Sequence, residues 1–552
     1  MTMEHDAYRY AIRNAYDHHG KADIAAVIGK IKALYPDENV KEMVPIAKKT
    51  VEKVNRMGLT EIREEYQKFE AEGFELKIPD KKVGLLDLEW TTNEPVITRW
   101  APNPNAPAHL GNMRPAILSY LYAKKYNGEF ILRFEDTDPK IKKPMQGVEE
   151  LFLHDLEWVH CPPDKIVRQS DRLEIYYDYM HQLIEMGNAY VCTCEREKWK
   201  KNTLNKKPCP CRSLEPTEQK KRLEKMFQHE YKEGKAVLRI KTDMNAEDPA
   251  ERDWWAAKIV DKPQHYKIKD KFVWPGYNFA AAIDDHLMGV TLIIRGQQHT
   301  SNVKKQKWLY RHFGWTYPHT FHHGKLSLEG AELSKSKMIE GIASGKYSGW
   351  DDPRLFTVQS LGRKGFNPHA FVDMMVDLGV KTSDTRLSID ILANYNRKYV
   401  ENSPMIPFIL NPIQLDVDFV PELMIEMDGE KKELKSGTQA FYVSKEDTKK
   451  WRIGSTLRLR NAYIVKINSM DEWKINAQFV SIARLENTTQ TNWLTHGVSV
   501  AITQPDSSID YGMAGEKINE LGVGTEIQFS NYGYCRIDEK KENETKLWFT
   551  HE

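Results

Sequence analysis

The sequence predicts a multidomain α/β chain, with a parallel sheet and helical crossovers at its centre, a helical module ahead of it and barrel-forming strands behind it. Three observations carry this reading. At 552 residues the chain exceeds what one hydrophobic core supports. From Val96 short apolar strands alternate with helical patterns, the mark of parallel strands joined by crossovers. From about residue 400 short alternating strands stand between Gly, Asn and Asp turns, as in Ser455-Thr-Leu-Arg-Leu-Arg and Thr525-Glu-Ile-Gln-Phe, which is barrel texture.

With 40% hydrophobic and 29% charged residues, disordered and fibrous classes are excluded. No run of about 18 apolar residues occurs, and the start Met1-Thr-Met-Glu-His-Asp lacks a basic, apolar leader. No membrane partner and a cytoplasmic location are therefore expected. The 80 basic residues nearly balance 79 acidic ones, so a nucleic-acid partner would have to be met by local basic faces.

Taken in order, residues 1–90 read as a helical module. Ile24, Val27, Ile28, Ile31 and Leu34 recur at helical spacing after the N-cap Asp23, and Ala47, Val51, Val54 and Met57 repeat the pattern before Gly58. Charge-rich segments at Glu64 and Pro79 place a boundary near residue 90. The module reads first as a packing or oligomerisation element, and otherwise as a surface for RNA or a protein partner. Next, Val96-Ile-Thr-Arg-Trp reads as a strand running through a proline-rich loop into a helix that starts at His109. Such a helix start presents free N–H groups and a positive dipole end to phosphate, and Gly111 lets a nucleotide approach the backbone. The strand Phe130-Ile-Leu-Arg-Phe ends in Glu135-Asp-Thr-Asp, carboxylates at the edge where open α/β sheets bind ligands.

These segments carry a resemblance. Arg99-Trp-Ala-Pro-Asn-Pro-Asn followed by His109-Leu-Gly-Asn resembles the "HIGH" signature of class I aminoacyl-tRNA synthetases, in the form of the glutamyl and glutaminyl enzymes. Leu132-Arg-Phe-Glu-Asp-Thr-Asp is similar to their "LRxEDTD", and the segment from Trp274 through Tyr277, Asp284 and Asp285 to Arg295 resembles their amino-acid pocket. Lys325-Leu-Ser-Leu-Glu-Gly-Ala-Glu-Leu-Ser-Lys-Ser-Lys is similar to the "KMSKS" region, and Trp350-Asp-Asp-Pro-Arg-Leu closes the set. One short motif is weak, whereas this ordered series is strong. The helical leader and β-rich tail resemble the archaeal glutamyl enzymes in particular.

The resemblance implies a Rossmann-type catalytic domain with an insertion, C-terminal β-barrel anticodon-binding domains, and ATP-dependent ligation of L-glutamate to tRNA(Glu) through glutamyl-adenylate. tRNA(Gln) stays open as a second acceptor. A glutaminyl enzyme and a non-catalytic tRNA-binding protein are the alternatives. Activation builds charge on phosphate oxygens, so the protein must position and neutralise. His109 and Asn112 at the helix start, with Lys335 and Lys337 on the closing loop, are the catalytic candidates. Mg²⁺ would accompany ATP. His109, Gly111, Lys325, Leu326, Ser334 and Lys335 form the implied ATP set. Asn112 replaces the family's second histidine, and its amide cannot carry a proton's charge. Ala106 replaces a usual glycine, so the loop needs a conformation that tolerates a Cβ.

For the amino acid, Arg99, Asn103, Tyr277, Arg295 and Glu135 are implied, with Glu135 on the α-ammonium and the arginines on the side-chain carboxylate. Arg295 discriminates, since the glutaminyl enzymes carry a neutral residue there. Asp284 and Asp285 are read as capping or salt-bridge groups.

Four of the six cysteines cluster as Cys192-Thr-Cys194 and Cys209-Pro-Cys211. Four thiolates can hold a tetrahedral, structural Zn²⁺ with no open position. Nearby lysines, Lys198 to Lys201 and Lys206-Lys, suit the phosphates of a tRNA acceptor end. The expected parts are 1–90 helical, 91–189 and 273–340 the two halves of the catalytic domain, 190–272 the insertion, 341–400 a helical connection and 401–552 the barrels. Trp451, Arg452, Arg458 and Arg460 are anticodon candidates against simple burial or exposure.

Overall fold

The computed structural model describes residues 3–17, 20–35, 38–71, 84–91, 94–329, 335–427, 430–483 and 488–552. The chain divides into two compact units, Met1–Val83 and Gly84–Glu552. The first holds helices α1 (Met3–Asp17), α2 (Ile24–Leu34), α3 (Val40–Val54) and α4 (Leu59–Ala71). Asp23 caps α2, its carboxylate accepting from the Ala26 N–H at 2.8 Å. The apolar stripe read from the sequence packs inward: Val27, Ile31, Ala47, Val51 and Val54 are all buried. The charge-rich stretch from Glu64 belongs to α4, where Phe69 faces the core and Lys68 pairs with Glu65 at 2.9 Å. Pro79 lies outside the described residues.

The second unit is built on β1 (Thr98–Trp100), α5 (Leu110–Lys125), β2 (Phe130–Phe134), α6 (Val148–Trp158), β3 (Lys165–Arg168) and α7 (Leu173–Glu185). An excursion follows, with β4 (Ala189–Cys192), α8 (Arg196–Leu204), α9 (Pro216–Phe227), β5 (Val237–Ile240), β6 (Trp255–Ile259) and β7 (Val273–Pro275). The main sheet resumes with α10 (Tyr277–Leu287), β8 (Leu292–Gly296), α11 (Thr300–Phe313) and β9 (His319–His323). Its order is β3-β2-β1-β8-β9 with every pairing parallel. Both faces are covered by helices, so β2 and β8 are buried along their whole length and read as near-continuous apolar runs. The excursion forms its own antiparallel sheet, β4-β5-β6-β7. The catalytic fold is thus a Rossmann-type parallel sheet with an insertion, and the strand order reverses between β1 and β8, which opens a crevice at their carboxyl ends.

Beyond it come β10 (Leu326–Leu328), α12 (Lys335–Ala343), α13 (Val358–Arg363), α14 (Pro368–Leu378), β11 (Thr385–Leu387) and α15 (Ile389–Val400). β10 pairs parallel with β11. The remaining chain makes barrel-like sheets. Residues 412–491 supply a six-stranded sheet, and they interrupt a seven-stranded one begun by Met405–Leu410 and finished by residues 498–551. Trp451 is buried in the core of the six-stranded sheet, where no base can reach its face. Arg452 is exposed, and Arg458 and Arg460 are half-buried. Among the described residues no helix is long and apolar enough to cross a membrane.

Candidate active site

The crevice at the carboxyl ends of β1, β2 and β8 encloses a cavity of about 670 Å³. Seven of the residues singled out by sequence line it: Arg99, Asn103, Gly111, Asn112, Glu135, Tyr277 and Arg295.

His109 is the N-cap of α5. Its ring Nδ1 accepts the Gly111 N–H at 3.1 Å, and the Asn112 side-chain oxygen accepts the His109 N–H at 2.8 Å, a reciprocal capping box. With Nδ1 accepting, the ring hydrogen sits on Nε2 in the neutral form. Asn112 thereby holds the helix start in place with its oxygen and keeps its NH₂ as a donor, a role open to an amide without any titration. A Cβ on residue 111 would lie 3.2 Å from both the His109 ring and the Leu326 carbonyl, so glycine allows that main chain to pass over the first turn. Ala106 is fully buried and is not among the residues with positive φ, which is why a Cβ is tolerated there.

The amino-acid side of the cavity is built on two aspartates of α10. Asp285 accepts from Arg99 Nε at 3.1 Å and from Arg133 Nη1 at 2.7 Å. Burial works to raise the Asp285 carboxyl, but Arg133 and Arg99 overcome it and hold it below the ordinary range. Asp284 accepts from Arg172 Nε at 2.8 Å, from the Tyr176 hydroxyl at 2.7 Å and from Gln169 at 3.1 Å. Both aspartates are therefore salt-bridge groups. Arg133 also reaches Glu135 at 3.2 Å. Burial pushes the Glu135 carboxyl up, against the pull of Arg133 and Arg99. Asn103 donates to the Glu135 carbonyl at 2.6 Å, and its own buried oxygen has no hydrogen-bond partner among the described residues.

Arg295 is held differently. Its Nη1 donates to Gln306 at 3.1 Å and to the Tyr277 hydroxyl at 3.5 Å, and its Nη2 to the Tyr317 hydroxyl at 3.0 Å. It is 5% exposed, its Nε has no partner, and no carboxylate among the described residues lies within ion-pair distance. Beside it His299 is pushed down to about 4, by burial first and then by Arg295 and Arg99. Sequence reading missed Arg133, although it stands inside the quoted Leu132-Arg-Phe-Glu segment, and missed His299, which carries no motif signal of its own.

Ser334 lies outside the described residues, and Lys335 opens α12 with its side chain outside them. Lys337 and Lys325 are exposed, and Leu326 is buried in β10. Lys325 donates its N–H to Asp384 at 2.7 Å.

In the insertion, Cys192, Cys194, Cys209 and Cys211 place their four sulfurs within 4.8 Å of one another. Cys192 and Cys209 stand 3.7 Å apart, as do Cys194 and Cys211. That is too long for a disulfide and matches the edge, about 3.8 Å, of a tetrahedron with metal–sulfur bonds near 2.3 Å. Arg222 Nη1 donates to the Cys211 sulfur at 3.5 Å, so a guanidinium stands beside the four sulfurs. The donor set fits a structural metal ion with four sulfur ligands.

Residues 95–402 match the family model described as tRNA synthetases class I (E and Q), catalytic domain. A glutamate–tRNA ligase of Pyrococcus abyssi is 44% identical, covering 100% of both chains. The corresponding ligase of Pyrococcus horikoshii is 43% identical over 98% of each. A solved glutamate tRNA ligase from Elizabethkingia meningosepticum is 25% identical with a TM-score of 0.41, covering 56% of this chain and 70% of that one. With a motif-bearing crevice, a catalytic-domain match over more than half its length and end-to-end similarity to archaeal relatives, this chain belongs to the class I tRNA synthetases of the E and Q kind.

Proposed function

We propose that the chain is a glutamate–tRNA ligase that activates L-glutamate with ATP and transfers it to the terminal ribose of tRNA(Glu). The observation that carries this is Arg295, a buried guanidinium whose protein partners are all neutral. A buried cation without a counterion is costly, and a ligand carboxylate removes that cost. Glutamate brings one, whereas glutamine offers only an amide.

In this reading Arg99, Tyr277 and Arg295 take the side-chain carboxylate, Glu135 takes the α-ammonium, and Asn103 supports Glu135 through its carbonyl. The glutamate α-carboxylate attacks the α-phosphate and pyrophosphate leaves. The ring Nε2–H of His109 and the Asn112 amide donate to phosphate oxygens at the start of α5, where the dipole adds to them. Gly111, Lys325 and Leu326 border the adenosine, and Ser334, Lys335 and Lys337 serve the triphosphate, the two lysines from the first turn of α12 where the sequence suggested a loop. Mg²⁺ bound with ATP would supply further charge neutralisation at the phosphate oxygens. A tRNA ribose hydroxyl then attacks the activated carbonyl and AMP leaves.

The four cysteines would hold a structural Zn²⁺ that fixes the insertion against the acceptor end. tRNA(Gln) stays open as a second acceptor, the helical unit is a packing or oligomerisation element that could also meet a protein partner, and a translation enzyme of this kind belongs in the cytoplasm. The six-part division given above, with its boundaries near 90, 189, 272, 340 and 400, maps these roles along the chain.

Pyrophosphate exchange with glutamate or glutamine, with and without tRNA, tests the reading. Glutamate-dependent exchange is expected. Exchange with glutamine alone points to a glutaminyl enzyme, and none under any condition to a binding protein.

A further inference from the structure

Trp255 and Trp254 stand side by side at the start of β6 and have opposite fates. Trp254 is 5% exposed, whereas Trp255 is 42% exposed and lines the catalytic cavity. Leaving an indole open forgoes a large share of its burial, and three local features hold it there.

The first is a bulge. Leu238 faces Ala257 and Arg239 faces Trp255, so Ala256 is an extra residue in the β5–β6 ladder. Such a bulge turns the strand and re-aims the side chain next to it. The second is Gly276, which donates its N–H to the carbonyl of that same Ala256 at 2.6 Å. A Cβ at 276 would come within 2.6 Å of the indole ring, so the bare glycine lets the ring lie against the main chain that leads into Tyr277. The third is charge. Lys258 Nζ stands 5.3 Å from the indole centroid, and Lys258 and Lys142 line the same cavity.

A partly exposed aromatic ring with one ammonium group beside it and a second lining the same cavity is the chemistry of nucleotide capture, with the base on the ring and the phosphate by the lysines. Adenine of ATP belongs on the other side, where the Leu326 main chain passes over the first turn of α5. Trp255 instead comes from the insertion sheet and stands beside Gly276 and Tyr277, on the amino-acid side. The other nucleotide that must reach the amino acid is the one that accepts it.

We infer that Trp255 is the stacking platform for the 3′-terminal base of the tRNA acceptor end. This rests on the ligase reading above and adds a positioning residue for the transfer step.

The test is a binding cycle: wild type, Trp255→Phe and Trp255→Ala, each titrated with tRNA(Glu) carrying its 3′-terminal adenosine and with the same tRNA trimmed of it. For the wild type, trimming is expected to weaken binding roughly five- to hundredfold, the range of one stacked base. In Trp255→Ala trimming changes nothing, and Trp255→Phe falls between. Equal binding of the trimmed tRNA by wild type and Trp255→Ala also shows that the variant is folded. The inference is overturned if Trp255→Ala weakens both tRNAs alike, if trimming costs that variant as much as it costs the wild type, if trimming costs the wild type nothing, or if only the affinity for ATP falls. Failure of the ligase reading shows separately, as a wild-type enzyme that does not glutamylate the tRNA.

Discussion

The two arginines of the cavity sit in regions built on opposite principles. Around Arg99 every charge has its opposite inside the protein: Asp285 bridges Arg99 and Arg133, and Asp284 gathers Arg172, Tyr176 and Gln169. Around Arg295 the partners are an amide and two phenols. The first region is complete without a ligand and gives the wall its rigidity. The second is electrostatically unfinished and gains most from an incoming anion. Removing a charge therefore damages the fold in the first region and substrate use in the second.

The largest effect is expected from Asp285→Ala, which leaves the buried Arg99 without its carboxylate and takes from Arg133 its shortest ion pair, with Glu135 remaining to it. Breaking such a buried pair costs about 3–5 kcal/mol, seen as a lowered denaturation midpoint of the Gly84–Glu552 unit and loss of activation together. Unchanged unfolding would erase the contrast.

Next, Arg295→Gln should leave unfolding within about 1 kcal/mol of wild type, since its partners are neutral and uncharged replacements satisfy them. Its KM for glutamate should rise roughly a hundredfold or more, as for a ligand charge left unmatched. A variant that unfolds as badly as Asp285→Ala would make Arg295 another structural group.

A smaller effect concerns His299, whose folded-state value near 4 lies below its ordinary one. Below about pH 6.5 the unfolded chain takes up a proton that the folded chain refuses, so this stability is complete above about 6.5 and is lost as pH falls toward 4. After allowance for partial exposure the loss is about 2 kcal/mol. His299→Gln should flatten the acid limb of the unfolding midpoint against pH. Identical limbs in the two proteins would show that burial and the neighbouring arginines do not hold His299 neutral.

The smallest is Asn112→Ala, which removes half of the capping box and should cost about 1 kcal/mol, with activation slowed more than tRNA binding. Equal loss in both would make the cap a matter of stability alone.

Much of this was legible beforehand. Asp23 caps where the pattern placed it, the central strands fall where apolar runs meet loop signals, and the seven cavity residues named from motifs do meet in one crevice. Motifs are legible because they are short, local and tied to backbone turns. Arg133 was passed over although it lies in a quoted motif, since nothing local says that a strand arginine will meet α10 across the sheet. Trp255 had no signal at all, because its exposure depends on a bulge and on a glycine 21 positions further along the chain. The seven-stranded sheet, begun near 405 and completed only after 498, was equally hidden.

By itself, then, the order of residues determined which groups are present: a capped helix start, a set of arginines and paired thiols. The tertiary structure decided which of those charges are already neutralised. Partnership between groups as much as 186 positions apart depends on how strands and helices stack, and a Coulomb interaction reports distance in space, which sequence spacing does not contain.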